Sequence, residues 1–221
     1  MTGLDTHPEW VRLAAQRAGR HTLTRIAVVT LAISAFMVGY FILLRHPFFQ
    51  VTLIPLTGLD RLIGFEPWSL APYASLWLYI SCAPMLLSGR RQYLLYGSSA
   101  VLLAAVGFTL FFFWPTAVPA PDVDWGRYPY VAFLKSVDAA GNACPSLHVA
   151  YAVLTALWLQ RLLGEIGAPS WLRALNWVWC AVIAYSTLAT KQHLALDLVA
   201  GALLGAALTW PHLSLERRSP A

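Results

Sequence analysis

Two short runs in the second half of the chain bring ionisable side chains within reach of one another. The first is Pro145-Ser146-Leu147-His148. Proline and serine favour a helix start, and Ser146 can cap the first turn. The open N–H groups and positive dipole end of such a turn form a natural seat for a phosphate. His148, in the same turn, can give or take a proton. The second run is His193-Leu194-Ala195-Leu196-Asp197. Its i, i+4 spacing puts both ionisable groups on one helix face. The carboxylate can accept the proton of one imidazole nitrogen, which fixes the tautomer and leaves the other nitrogen as base or nucleophile. Ser186-Thr187 closes the preceding apolar run, and Lys191 stands where its cation can hold a phosphate. Each feature has a plainer alternative: a cap with a neighbouring histidine, a polar pair for helix packing, a lysine snorkelling to the interface. Zinc held by Cys144, His148, His193 and Asp197 is a further alternative. The phosphate reading accounts for Ser146, Lys191 and the two histidines together.

The elements that must position these residues are membrane helices. Of 221 residues, 58% are hydrophobic and 11% charged, against roughly a quarter charged in soluble domains. This excludes a disordered chain, a nucleic-acid module and a disulfide scaffold, and argues against a soluble globular domain. The three cysteines, Cys82, Cys144 and Cys180, are an odd number, two of them inside apolar runs. Six segments are long and uncharged enough to cross a bilayer at about 20 residues each: 26–44, 67–87, 93–114, 146–163, 174–190 and 194–210. The first reads as a retained helix, not a cleaved signal. The expected fold is therefore all-α, an integral membrane protein of six transmembrane helices. With the N-terminus in the cytoplasm, ten basic residues lie inside and five outside, so both termini are expected to be cytoplasmic. The chemistry-bearing runs then share the outer face.

Residues 1–25 read as a basic cytoplasmic or interfacial segment, 26–211 as the membrane catalytic domain, and 212–221 as a cytoplasmic tail. Within 7–25 a short interfacial helix and a solvated basic tail are equally open. Residues 46–68 are apolar but broken by three prolines, which predicts an interfacial or re-entrant segment. Gly201 and Gly205 form a G-x3-G that predicts close helix packing.

The chain resembles the type 2 phosphatidic acid phosphatase superfamily. The family's P-S-G-H motif stands here as Pro145-Ser146-Leu147-His148. Its S-R-x5-H-x3-D motif stands as Ser186-Thr187, five residues, His193, three residues and Asp197. Leu147 replaces the glycine and Thr187 the arginine. This spelling, with 56–68 (LTGLDRLIGFEPW) and 73–79 (YASLWLY), is similar to the branch of inositol phosphorylceramide synthases and their bacterial relatives. The family's lysine–arginine motif is not recognisable; Arg127 and Lys135 are the only bases in the loop where it would stand.

The resemblance implies a lipid phosphatase acting through a phosphohistidine, without metal or cofactor. His193 would be the nucleophile, Asp197 its orienting partner and His148 the acid. Ser146, Thr187, Lys191, Arg127 and Lys135 would hold the phosphoryl oxygens. The implied partners are a lipid phosphate or phospholipid and the bilayer itself, with no nucleic acid. The implied location is a bacterial inner membrane, multi-pass, with the site facing the periplasm. Water as acceptor gives a phosphatase; a lipid alcohol gives a head-group phosphotransferase. A non-catalytic lipid transporter or flippase would place ionisable residues near the bilayer midplane, whereas these stand at helix ends.

Overall fold

A computed structural model of the chain describes residues 7–130 and 142–217, and of Arg217 the backbone only. Lys135, one of the expected phosphate-binding residues, lies outside the described residues. The chain opens with α1 (Glu9–Gly19), a helix and not an irregular tail, and turns at His21 into α2 (Thr22–Arg45). Trp10, Leu13 and Ala14 of α1 pack on the core, while Arg25 donates to the carbonyls of Met85 and Leu87 at 2.6 and 3.3 Å.

Residues 46–68 do not form a span. They fold as a two-residue strand, β1 (Thr52–Leu53), and one helical turn, α3 (Gly58–Leu62). β1 pairs in parallel with β2 (Thr116–Ala117), Thr52 opposite Thr116. After a 3-10 turn at Pro67–Ser69 come α4 (Leu70–Ala74) and α5 (Leu76–Leu86). Then follow α6 (Gly89–Phe113), α7 (Leu147–Glu165), α8 (Ser170–Ala189) and α9 (Ala195–Arg217).

Among the described residues four helices, α2, α6, α7 and α9, are long and apolar enough to cross a membrane. The other two expected spans are helical but fall short of that measure. The stretch 67–87 is cut into three pieces: Pro72 lacks an N–H near the start of α4, and the break between α4 and α5 falls at Ser75, whose hydroxyl donates to the Pro72 carbonyl at 2.6 Å, while Pro84 stays inside α5. In α8, Trp171, Trp177, Trp179, Arg173 and Asn176 dilute the aliphatic content.

The centre of the bundle is α7. Ala150, Ala152, Leu154, Ala156 and Trp158 are fully enclosed. The G-x3-G expectation is met in detail: a Cβ on Gly201 would collide with the Ser146 carbonyl oxygen, and one on Gly205 with that of Ala150. Helix α9 therefore rides backbone to backbone on the first turns of α7. On the other side Leu147 fills the space over Gly107, where a Cβ would meet Leu147 Cδ1 at 2.8 Å. The outer surface is a belt of exposed aliphatics, among them Leu31, Val38, Leu78, Val101 and Leu203, which is surface that lipid solvates and water does not. At the Glu165 end of α7 a polar network ties helices together. Glu165 accepts from Arg17 at 3.2 Å and Arg161 at 3.1 Å, and Arg161 reaches Glu216 at 2.8 Å.

Candidate active site

The two chemistry-bearing runs meet at the Ser146 end of α7. Ser146 is the N-cap: its hydroxyl oxygen accepts the Val149 N–H at 3.3 Å, and its own N–H donates to the Asp197 carbonyl at 3.0 Å. His148, in the first turn, stacks on Tyr73 with ring centroids 4.1 Å apart and an interplanar angle of 13°. Its Nε2 is buried and without a hydrogen-bond partner among the described residues.

The spacing of the second run has a local cause. Helix α8 ends in a reversal in which Lys191 N–H donates to the Leu188 carbonyl at 3.0 Å and Gln192 N–H to that of Thr187 at 3.1 Å. This is the six-to-one, five-to-two pattern of a Schellman cap. It requires a left-handed residue, and Lys191 takes it with φ 59°. His193 emerges from this turn, its N–H also on the Thr187 carbonyl at 3.1 Å. Helix α9 begins two residues later. Asp197, fully buried, sits at its third position. One oxygen, Oδ2, accepts the Leu194 N–H at 2.8 Å and stands 3.5 Å from His193 Nδ1. The carboxylate thus caps the helix and faces the imidazole together.

A third group, not foreseen from the sequence, holds this turn. Thr57 and Asp60 form a capping box around α3: Asp60 Oδ2 accepts from the Thr57 backbone and hydroxyl at 2.8 and 2.7 Å. The other oxygen, Oδ1, accepts the Ala195 N–H at 2.8 Å. Lys191 Nζ donates to the Asp60 carbonyl at 3.3 Å and also to that of Ile63. Burial pushes the Asp60 carboxyl up, but the Thr57 and Ala195 hydrogen bonds and the Lys191 charge outweigh it and hold the group below its ordinary value. Only the T-x-x-D spelling at 57–60 signals the capping box in sequence; nothing local signals its distant partner.

His148 and His193 line one cavity of about 640 Å³. Asn142, Gln192 and Tyr73 line it at the histidine end, and the rest of the wall is almost wholly apolar, from α2, α5 and α6. Along α2 the lining runs from Phe41 to Val29, about 18 Å at roughly 1.5 Å per residue. One leaflet's hydrocarbon is about half of a roughly 30 Å core, so the trough matches the depth of a single lipid chain.

The expected phosphate-binding residues Ser146, Thr187, Lys191 and Arg127 are not among those lining this cavity; Ser146 is fully buried. Thr187 is buried, and its hydroxyl donates to the Ala184 carbonyl at 2.7 Å. Arg127 is exposed and pairs with Asp124 at 3.1 Å. Lys191 turns toward the α3 segment. Cys144, His148, His193 and Asp197 do not converge as a metal-binding group among the described residues. Asn142 and Gln192, on the cavity wall, were not singled out by sequence reasoning.

Searches of curated proteins and of solved structures return no match. A family model described as the PAP2 superfamily matches residues 92–219. That stretch holds α7, the Schellman turn and α9, and so both histidines and Asp197. Spanning more than half of the 221 residues, the match shows that the chain belongs to the PAP2 superfamily.

Proposed function

We propose that the protein is a membrane lipid phosphatase that works through a phosphohistidine on His193, without a metal. The observation that carries this reading is the shared cavity: two histidines at one end, an apolar trough of one-leaflet depth behind them. An amphiphile lies there with its phosphate at the histidines and its chain along α2 and α6.

The chemistry divides between the two imidazoles. Asp197 faces Nδ1 of His193, so Nε2 attacks phosphorus. As the N–P bond forms, the P–O bond to the lipid alcohol breaks, and His148 gives its proton to the departing oxygen. Water then attacks phosphorus and yields a proton to His148. The N–P bond breaks, phosphate leaves, and both histidines return to their starting state. The 3.5 Å separation of His193 Nδ1 and Asp197 Oδ2 is longer than an ordinary hydrogen bond. Its pull is greatest once the phosphorylated ring carries positive charge, which is when stabilisation lowers the barrier. The open first turn of α7, which Ser146 caps, turns its positive end and free backbone N–H groups toward the phosphoryl oxygens.

In the membrane, the broken α4–α5 segment and α8 cross beside the four long helices, giving six spans. The histidine end faces the periplasm and the Arg17–Glu165 network the cytoplasm, in keeping with the ten-to-five distribution of bases. A second reading, transfer of the phosphoryl head group to a lipid alcohol, is favoured by Leu147 and Thr187 in the motif positions, the inositol phosphorylceramide synthase-like spelling.

The test is lipid mass spectrometry on purified protein in mixed micelles, beside a His193→Ala control. Lipid phosphates and phospholipids are supplied, with diacylglycerol and ceramide as acceptors. Free phosphate with a dephosphorylated lipid, absent in the control, is the expected result. A new head-grouped lipid would establish the transferase. Turnover by His193→Ala within threefold of wild type would reject the mechanism.

A further inference from the structure

We infer that Asn142 and Gln192 form a neutral amide subsite that binds a lipid hydroxyl beside the phosphate, so that the preferred ligand is an amphiphile bearing a hydrogen-bond donor at its polar end. The inference rests on the reading of the cavity as a lipid phosphate site and narrows its substrate class.

Both side chains are more than nine-tenths buried, at 4% and 5% exposure, and both line the cavity. Each leaves one amide atom without a hydrogen-bond partner among the described residues: Asn142 Oδ1 and Gln192 Nε2. Buried amide atoms are rarely left so, because each costs the desolvation of a polar group. The orientation of Asn142 is fixed by its other atom, since Nδ2 donates to the Tyr40 carbonyl at 2.9 Å and a carbonyl only accepts. Oδ1 can therefore only accept. A fully ionised phosphate offers it no proton. Of the tyrosines on the wall, Tyr96 and Tyr151 already donate to the Ile80 and Ala100 carbonyls, at 3.3 and 2.9 Å. A ligand hydroxyl or amide N–H supplies the donor that Asn142 Oδ1 lacks. Gln192, adjacent to the nucleophile His193 in the chain, has its unpartnered donor available to a phosphoryl oxygen.

The sequence context holds the pair in place. Asn142 is pinned by a parallel bridge to Thr116, next to β2. Gln192 is the residue after the left-handed Lys191, pinned by the Schellman bond to Thr187. Neither side chain is a surface residue that happens to point inward. A site built to bond a hydroxyl discriminates strongly against a ligand that lacks it, because its own polar groups are left unpaired.

The hydroxyl can belong to the phosphate-bearing lipid or to a separate acceptor alcohol, and two pairs of probes separate these. The first pair is the phosphonate analogue of lysophosphatidic acid and its form lacking the free hydroxyl. The second is diacylglycerol and its O-methyl ether. Binding to the full chain in detergent micelles is measured by competition in native mass spectrometry. In at least one pair the hydroxyl form should bind about tenfold tighter or more. Asn142→Leu should erase that difference. Gln192→Met should weaken both phosphonates alike, by several-fold, and leave the diacylglycerol pair unchanged. No discrimination in either pair by the wild type would overturn the inference, as would discrimination surviving in a folded Asn142→Leu protein. If that variant does not fold, the wild-type comparison decides alone. Because the phosphonates resist hydrolysis, the binding result stands apart from turnover: absent turnover with clear discrimination would sink the phosphatase reading and leave the subsite.

Discussion

Asp60 Oδ1 receives the backbone N–H of Ala195 at 2.8 Å, across 135 residues of sequence. That N–H is one of the unpaired donors at the start of α9, the helix that carries Asp197. The segment 46–68 thus completes the scaffold of the turn that carries His193 and Asp197, through a carboxylate held in its own capping box. Asp60→Asn should lower stability at neutral pH by about 1–2 kcal/mol, the usual worth of a cap. The wild-type carboxyl titrates below its ordinary 3.8. Its contribution is therefore full above that value and is lost as pH falls through the folded value. The gap between the thermal melts of wild type and variant should be greatest at neutral pH and narrow as pH falls below 3.8.

Lys191 carries two opposed effects. Its left-handed backbone costs about 1–2 kcal/mol for a residue with a Cβ, while its ammonium ties α8 to the α3 segment. Lys191→Ala should lose the tie and keep the cost. Lys191→Gly should lose the tie and recover about 1 kcal/mol. The glycine variant should melt above the alanine variant; equal melting points would contradict the left-handed assignment.

Gly201 sets the distance between α7, which carries His148, and α9, which carries Asp197. Gly201→Ala should push α9 off α7, because the obstacle is the Ser146 backbone and not a movable side chain. The expected effect is about 1–3 kcal/mol of destabilisation and a fall in turnover of about 10²-fold, as expected for an ångström-scale displacement. Gly97→Ala, with nothing within 4 Å of the new Cβ, should leave both quantities near wild type. Melting and phosphate release on the same preparations check this.

Leu147 and Gly107 are a complementary pair. Gly107→Ala should destabilise in the wild type, since Leu147 occupies the space, and should be tolerated once Leu147→Ala has vacated it. A double-mutant cycle should return a coupling of about 0.5–3 kcal/mol. Strict additivity would mean that the two side chains are not in contact.

Within the proposed mechanism, His148→Ala should reduce turnover by about 10²–10⁴-fold. Asp197→Asn can still cap the Leu194 N–H through its amide oxygen, so the helix start survives. It removes the charge facing Nδ1 and should cost at least about 10²-fold by analogy with hydrolytic triads. Single-turnover phosphate release on folded variants separates these losses from instability.

The sequence by itself determined what depends on short range. The capped helix start at Ser146, the apolar runs of α2, α6, α7 and α9, and the close approach at Gly201 all follow from periodicity and from which residues permit a turn or a contact. His193 and Asp197 do face each other at 3.5 Å, but His193 stands in the turn before α9 and not on the face of that helix. What the sequence did not contain is which distant segments meet. The Asp60 tie to Ala195, the filling of Gly107 by Leu147 and the placing of Asn142 and Gln192 on the wall of one cavity join positions 40 to 135 residues apart. No local spacing encodes such pairs. The expected 67–87 span showed the complementary failing. Its hydrophobicity reads as continuous, but the helix breaks at Ser75, whose hydroxyl donates to the Pro72 carbonyl, so hydrogen bonding and not apolar character is decisive there. Tertiary structure decided the site's walls because a cavity is a property of packed surfaces, and hydrophobic burial is non-directional until specific shapes are brought together.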